Sequence, residues 1–147
     1  MISQKMNIRS LLIITLLSLM VLSACEERAV RRQLVGVWTY DLAATRQEMI
    51  RREASPGAIN YMESILGTMQ QAELHFQSDG TLLFALEDIQ QTGSWSLREG
   101  GQELVVNLTG ADQISDIEYL LADTLILSPR QIDNASFPRV LIAQNNQ

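Results

Sequence analysis

The chain has 147 residues, a formal net charge of −6, one histidine and one cysteine. That pair leaves too few ligands for a zinc site, which takes three or four protein groups, and a lone cysteine can close no internal disulfide. An acidic chain also repels phosphates, so nucleic acid is a poor partner.

Residues 1–24 fall into three parts. Lys5 and Arg9 give a positive start, Leu11 to Leu22 form an almost unbroken apolar run of 12 residues, and Ser23 and Ala24 are small. This is the order of a secretory signal peptide. The run is shorter than the roughly 20 apolar residues a helix needs to span a bilayer, so a permanent transmembrane helix is not expected there. Leu22-Ser23-Ala24-Cys25 resembles the lipobox of bacterial lipoproteins. The resemblance implies cleavage before Cys25, a diacylglyceryl group on its thiol, and acylation of its new amine by a chain such as palmitate. Each buried CH₂ contributes about 0.8 kcal/mol and stable attachment takes two chains or more, so three would hold the protein on a membrane. Glu26, where some lipoproteins carry Asp, resembles the enterobacterial pattern for the outer membrane, facing the periplasm, over the inner membrane. The expected product is a lipid-anchored protein of the bacterial cell envelope.

From Cys25 to Gln147 there are nine arginines, no lysine and all seventeen acids. Residues 26–53 hold six arginines against five acids, and residues 54–147 hold three against twelve. Residues 25–33 are charged and read as a short lipidated tether. Arg28, Arg31 and Arg32 can touch anionic head groups there, though a solvated stalk is the simpler reading. Residues 34–147 suit one domain with a core of its own.

Leu34 to Asp41 alternates Val35, Val37 and Thr39 with Gly36, Trp38 and Tyr40, which predicts a first strand. Between 42 and 71 the composition turns to Ala, Met, Gln, Glu and Arg, which favours helix. Leu42, Met49 and Ile50 mark a first helix. Ser55-Pro56 starts a second, with Ser as N-cap and Pro at the first helical position. Ile59, Met62, Leu66 and Met69 then recur at helical spacing. From residue 72 the period becomes two. Leu74 and Phe76, then Leu82, Phe84 and Leu86 flank a Ser78-Asp79-Gly80 turn. Gly93 to Leu97, Leu104 to Leu108, Ile114 to Leu121, Thr124 to Ser128 and Arg139 to Ala143 read as further strands, with the longest loop at 129–138. About eight strands at this spacing predict an antiparallel barrel or sandwich with a helical insertion between strands 1 and 2.

Together, Gly36-Val37-Trp38, Phe76-Gln77-Ser78-Asp79-Gly80-Thr81 and Gly93-Ser94-Trp95-Ser96-Leu97 resemble the lipocalin-like families found among bacterial lipoproteins. The resemblance spans residues 34–128 and implies an eight-stranded lipocalin-like barrel. It also implies that Trp38 closes the barrel base and that Arg139 packs on it as a cation on a ring. The insertion at 42–71 and the lack of a C-terminal helix depart from the family pattern.

Candidate chemistry is sparse. His75 lies on the polar face of a strand beside Glu73 and Gln77, so it reads as a surface histidine, and no metal, cofactor or catalytic residue is assigned. Asp112, Asp116, Glu118 and Asp123 form an acidic stretch without a basic residue, and Glu87-Asp88 sits in a turn; their spacing fits no calcium loop. Sequence therefore points away from an enzyme. Two readings stand: a module binding a small apolar or amphipathic ligand in the barrel mouth, or an adaptor holding another envelope protein through the insertion or a barrel face. The interior decides between them. Phe76, Phe84, Leu86, Trp95, Leu97, Leu104, Val106, Leu108, Leu125 and Leu127 are expected to point inward, and their bulk argues against a large cavity.

Overall fold

The computed structural model describes residues 25–130 and 136–144. The expected signal peptide at 1–24 lies outside the described residues. Eight antiparallel strands close into one barrel in chain order: β1 (Gly36–Tyr40), β2 (Glu73–Phe76), β3 (Thr81–Leu86), β4 (Ile89–Arg98), β5 (Glu103–Asn107), β6 (Gln113–Leu121), β7 (Thr124–Pro129) and β8 (Arg139–Ala143). Closure comes from β8 pairing back on β1, with Trp38 opposite Ala143 and Tyr40 opposite Leu141. Alternation left barrel and sandwich open; the eight-stranded lipocalin-like barrel that the resemblance implies is the fold observed.

Helix α1 covers residues 25–34, α2 spans Leu42–Arg51 and α3 spans Pro56–Met69. Both insertion helices begin where a side chain caps them. Asp41 Oδ1 accepts from the N–H of Ala44 at 2.8 Å, and Ser55 Oγ accepts from that of Ala58 at 3.2 Å.

Inward residues alternate with outward ones along each strand. Leu74, Phe76, Leu82, Trp95, Leu97, Leu104, Leu125, Leu127 and Leu141 form the buried core with Leu34 and Trp38, and Phe84, Val106 and Leu108 pack against it. Leu86 is the exception: it is half-buried beside the Glu87-Asp88 turn and joins no core cluster. Strand β4 starts four residues before the expected Gly93. Its polar opening, Gln90-Gln91-Thr92, pairs with Ala85, Phe84 and Leu83, so the ladder overrides a composition that reads as turn. Gly93 is needed for that pairing. A Cβ there would lie 2.0 Å from the carbonyl oxygen of Asn107 on β5.

One end of the barrel is shut. Residues 25–33, expected as a short tether, and Leu34, expected to open the first strand, are helical, and α1 plugs this end. Val30 packs on the core, and Leu34 is fully buried. Gly101, at φ +96°, lets α1 approach: a Cβ there would meet Val30 and the backbone of Glu27 at 3.2–3.3 Å. Trp38 sits just inside the plug, 1% exposed, and its Nε1 donates to the carbonyl of Leu34 at 2.8 Å. Trp95, also buried, donates to the carbonyl of Gln77 at 2.9 Å and meets Phe76 edge to face at 5.4 Å.

The cation on a tryptophan ring is not the expected one. The Arg31 guanidinium lies 4.7 Å from the centre of the Trp95 ring. Arg139 cannot reach Trp38. Trp38 is opposite Ala143, four residues further along β8, and at roughly 3.3 Å per residue this puts Arg139 about 13 Å away, at the other end of the barrel.

Candidate functional site

The other end is open, and the insertion stands over it. α2 is fixed to the barrel rim. Past the last β1–β8 pair, the N–H of Asp41 donates to the carbonyl of Val140 at 2.9 Å, and the N–H of Val140 donates to the buried Thr45 hydroxyl at 3.0 Å. At the far end of the helix, Arg52 donates to Ser128 Oγ at 2.8 Å and pairs with Glu118 and with Glu48. Glu118 is re-aimed by a bulge in β6, where Ile117 faces Leu127 but Tyr119 already faces Ile126. The guanidiniums of Arg51 and Arg52 beside Glu48 hold its carboxyl at about 2, well below its ordinary 4.5.

α3 was expected to lay Ile59, Met62, Leu66 and Met69 on the barrel. Met62 and Leu66 are indeed buried, but mainly against Met49 of α2, with Ile59 and Phe137 beside them. Arg46 and Glu63 join the two helices at 2.8 Å. α3 is thus carried by α2 across the mouth, and a space stays open beneath it.

That space is a cavity of about 630 Å³. Its wall on the insertion side is Tyr61, Ile65, Leu66 and Met69, and its barrel side includes Tyr40, Phe84 and Leu108. Phe137 closes one flank, edge to face with Tyr61 at 6.4 Å. Below it a smaller void of about 50 Å³ reaches into the barrel between Leu74, Phe76 and Leu104. Tyr40, Leu108, Gln113 and Arg139 line both spaces and mark their junction. The bulky inward residues therefore fill the barrel towards α1, as their size implies, while the cavity is built at the mouth by the insertion.

Three charged residues line the cavity: Asp112, Arg130 and Arg139. Two are held by partners. Arg98 reaches Asp112 at 3.3 Å, and the Asn107 amide donates to it at 3.0 Å. Arg130 pairs with the buried carboxylate of Glu103 and lies 3.6 Å from Asp116. Three acids of the stretch, Asp112, Asp116 and Glu118, thus find cations in other segments, at Arg98, Arg130 and Arg52. Among the described residues, no carboxylate pairs with Arg139.

The remaining sequence candidates lie elsewhere. Cys25, the first described residue, is helical and exposed. His75 contacts Glu73 at 2.8 Å on the outer face of β2. Among the described residues no group of acids, histidine and cysteine is arranged to hold a metal ion, and no helix is long and apolar enough to cross a membrane.

A plugged base, a filled lower interior and a roofed mouth define a lipocalin-like, closed eight-stranded antiparallel β-barrel. Among solved structures, the chain is similar to a DUF4847 family protein from Bacteroides vulgatus ATCC 8482. The two share 14% identity and a TM-score of 0.46 over 76% of this chain and 94% of that one. No protein-family model matches the chain, and no curated protein does.

Proposed function

We propose that this protein is a lipid-anchored lipoprotein of the bacterial cell envelope, held at Cys25, whose barrel mouth binds a small apolar or amphipathic ligand. The observation that carries the binding half is the 630 Å³ cavity between α3 and the rim. It falls within the roughly 300–1,000 Å³ usual for small-molecule sites, and its walls are mostly apolar with a few convergent polar groups. Tyr61 and Ile65 are 41% and 38% exposed and both line it, so a ligand would cover apolar surface that the chain leaves open. An adaptor role through the α3 stripe has less to stand on, because Met62 and Leu66 are already taken up by α2.

The anchoring half rests on the lipobox-like Leu22-Ser23-Ala24-Cys25. α1 runs from Cys25 straight onto the shut end, so an anchor there would set the plugged base toward the membrane and the mouth away from it.

Two measurements test the halves separately. Metabolic labelling with a fatty acid should mark the wild-type chain and not Cys25→Ser; equal labelling would end the lipoprotein reading. A photoreactive 12-carbon alcohol, added to membranes carrying the full chain, should cross-link to peptides from α3 and from 136–139. Labelling absent from those peptides would end the ligand reading and return the adaptor role to first place.

A further inference from the structure

We propose that the ligand is a long-chain carboxylate, its head bound by Arg139 and its tail lying beneath α3. This rests on the ligand-binding reading above and adds the chemistry of the head group.

Arg139 is the first residue of β8 and lies in the inward register of Leu141 and Ala143, both of which pack in the barrel core. It therefore lies at the junction of the mouth cavity and the void below. Its position is unlike that of the other two charges. Asp112 is neutralised by Arg98, and Arg130 by Glu103 and Asp116, so neither is left to meet a ligand. Arg139, half-buried, faces the cavity with no carboxylate partner among the described residues. Holding a cation in an apolar enclosure costs desolvation that a counter-charge offsets. A guanidinium presents two parallel N–H donors that fit the two oxygens of a carboxylate. Tyr40 and Gln113 line the same junction, placing a hydroxyl and an amide beside the head group.

The charge count selects the head. Among the described residues one cavity cation has no carboxylate partner, and it balances a monoanion, whereas a phosphate monoester near neutral pH would carry more negative charge than that cation matches. The walls select the tail. Ile65, Leu66, Met69, Phe84, Leu108 and Phe137 give apolar surface for it, and the unbranched Met69 can repack around chains of different length.

The test compares photoreactive 12-carbon probes differing only in the head group, a carboxylate and an alcohol, on the full chain in membranes. The carboxylate should label the α3 and 136–139 peptides about tenfold more efficiently, the factor that one charge-assisted hydrogen bond supplies. Arg139→Gln should bring the carboxylate's labelling down to that of the alcohol on the same variant, and Arg139→Lys should restore part of the preference. An unchanged melting temperature for each variant shows that the barrel is intact; should Arg139→Gln unfold, the Lys variant and dodecanoate competition on wild type carry the comparison. Equal labelling by acid and alcohol overturns the carboxylate assignment while the ligand-binding reading survives. Stronger competition by dodecyl phosphate than by dodecanoate overturns it in favour of a dianionic head. Labelling by neither probe overturns both.

Discussion

The buried hydroxyl of Thr45 accepts the backbone N–H of Val140, 95 residues away in sequence, at 3.0 Å. Thr45 is wholly inaccessible to solvent. The contact continues the β1–β8 ladder beyond its last strand pair, so one side chain both completes barrel closure and fixes α2 to the rim. The position of α3, and with it the roof of the cavity, depends on this joint.

Thr45→Val keeps the shape of the side chain and removes the acceptor. The Val140 N–H would then be buried without a partner, at a cost of about 1–3 kcal/mol. Thr45→Ser retains the hydroxyl and should cost less. Urea denaturation of the two variants checks the ordering, and a Val variant as stable as wild type would show the bond to be dispensable.

Gly93→Ala is expected to destabilise the barrel more than its single methyl suggests. The new Cβ would sit 2.0 Å from Asn107 oxygen, a backbone atom that can yield only if β4 and β5 separate. Overpacking of this kind typically costs about 1–3 kcal/mol and occasionally more. The neighbouring Trp95 should report it, through a changed near-ultraviolet circular dichroism signal as well as a lower melting temperature.

Glu48 makes stability pH-dependent on the acid side. Its carboxyl titrates at about 2 when folded against 4.5 ordinarily, because Arg51 and Arg52 favour the ionised form. A group with a lowered folded pKa stabilises fully above its unfolded value and loses that contribution as pH falls toward the folded one. The contribution of Glu48 should therefore be intact above about pH 4.5 and fade between there and about pH 2. Glu48→Gln should be less stable than wild type at pH 7, with the difference shrinking through that window. A gap that stays constant from pH 7 to pH 2 would mean that the ion pairs do not set it.

Much of the fold was legible because its signals are local. Strand alternation, the Ser55 cap before Pro56 and the turn at Ser78-Asp79-Gly80 each act within a few residues, and β8 runs from Arg139 to Ala143 as its apolar pattern implies. The helix at 25–34 had only a faint mark, Val30 and Leu34 one turn apart amid charges, and those two residues are what seat it on the barrel. The partners of the acidic stretch could not be read at all, since Arg52, Arg98 and Arg130 come from three separate segments.

Chain composition and local pattern decided that this protein would be an antiparallel barrel or sandwich with a helical insertion and bulky inward residues; closure into a barrel came from β8 pairing on β1. Tertiary structure alone decided that a cavity exists and that Arg139 faces it. The register of β8 on β1 carries Arg139 to the mouth, far from Trp38, and a register is a property of the closed ring. The space under α3 arises because Met62 and Leu66 find Met49 before they find the barrel. Periodicity can mark a face for burial; which surface covers it is settled by packing among segments distant in sequence.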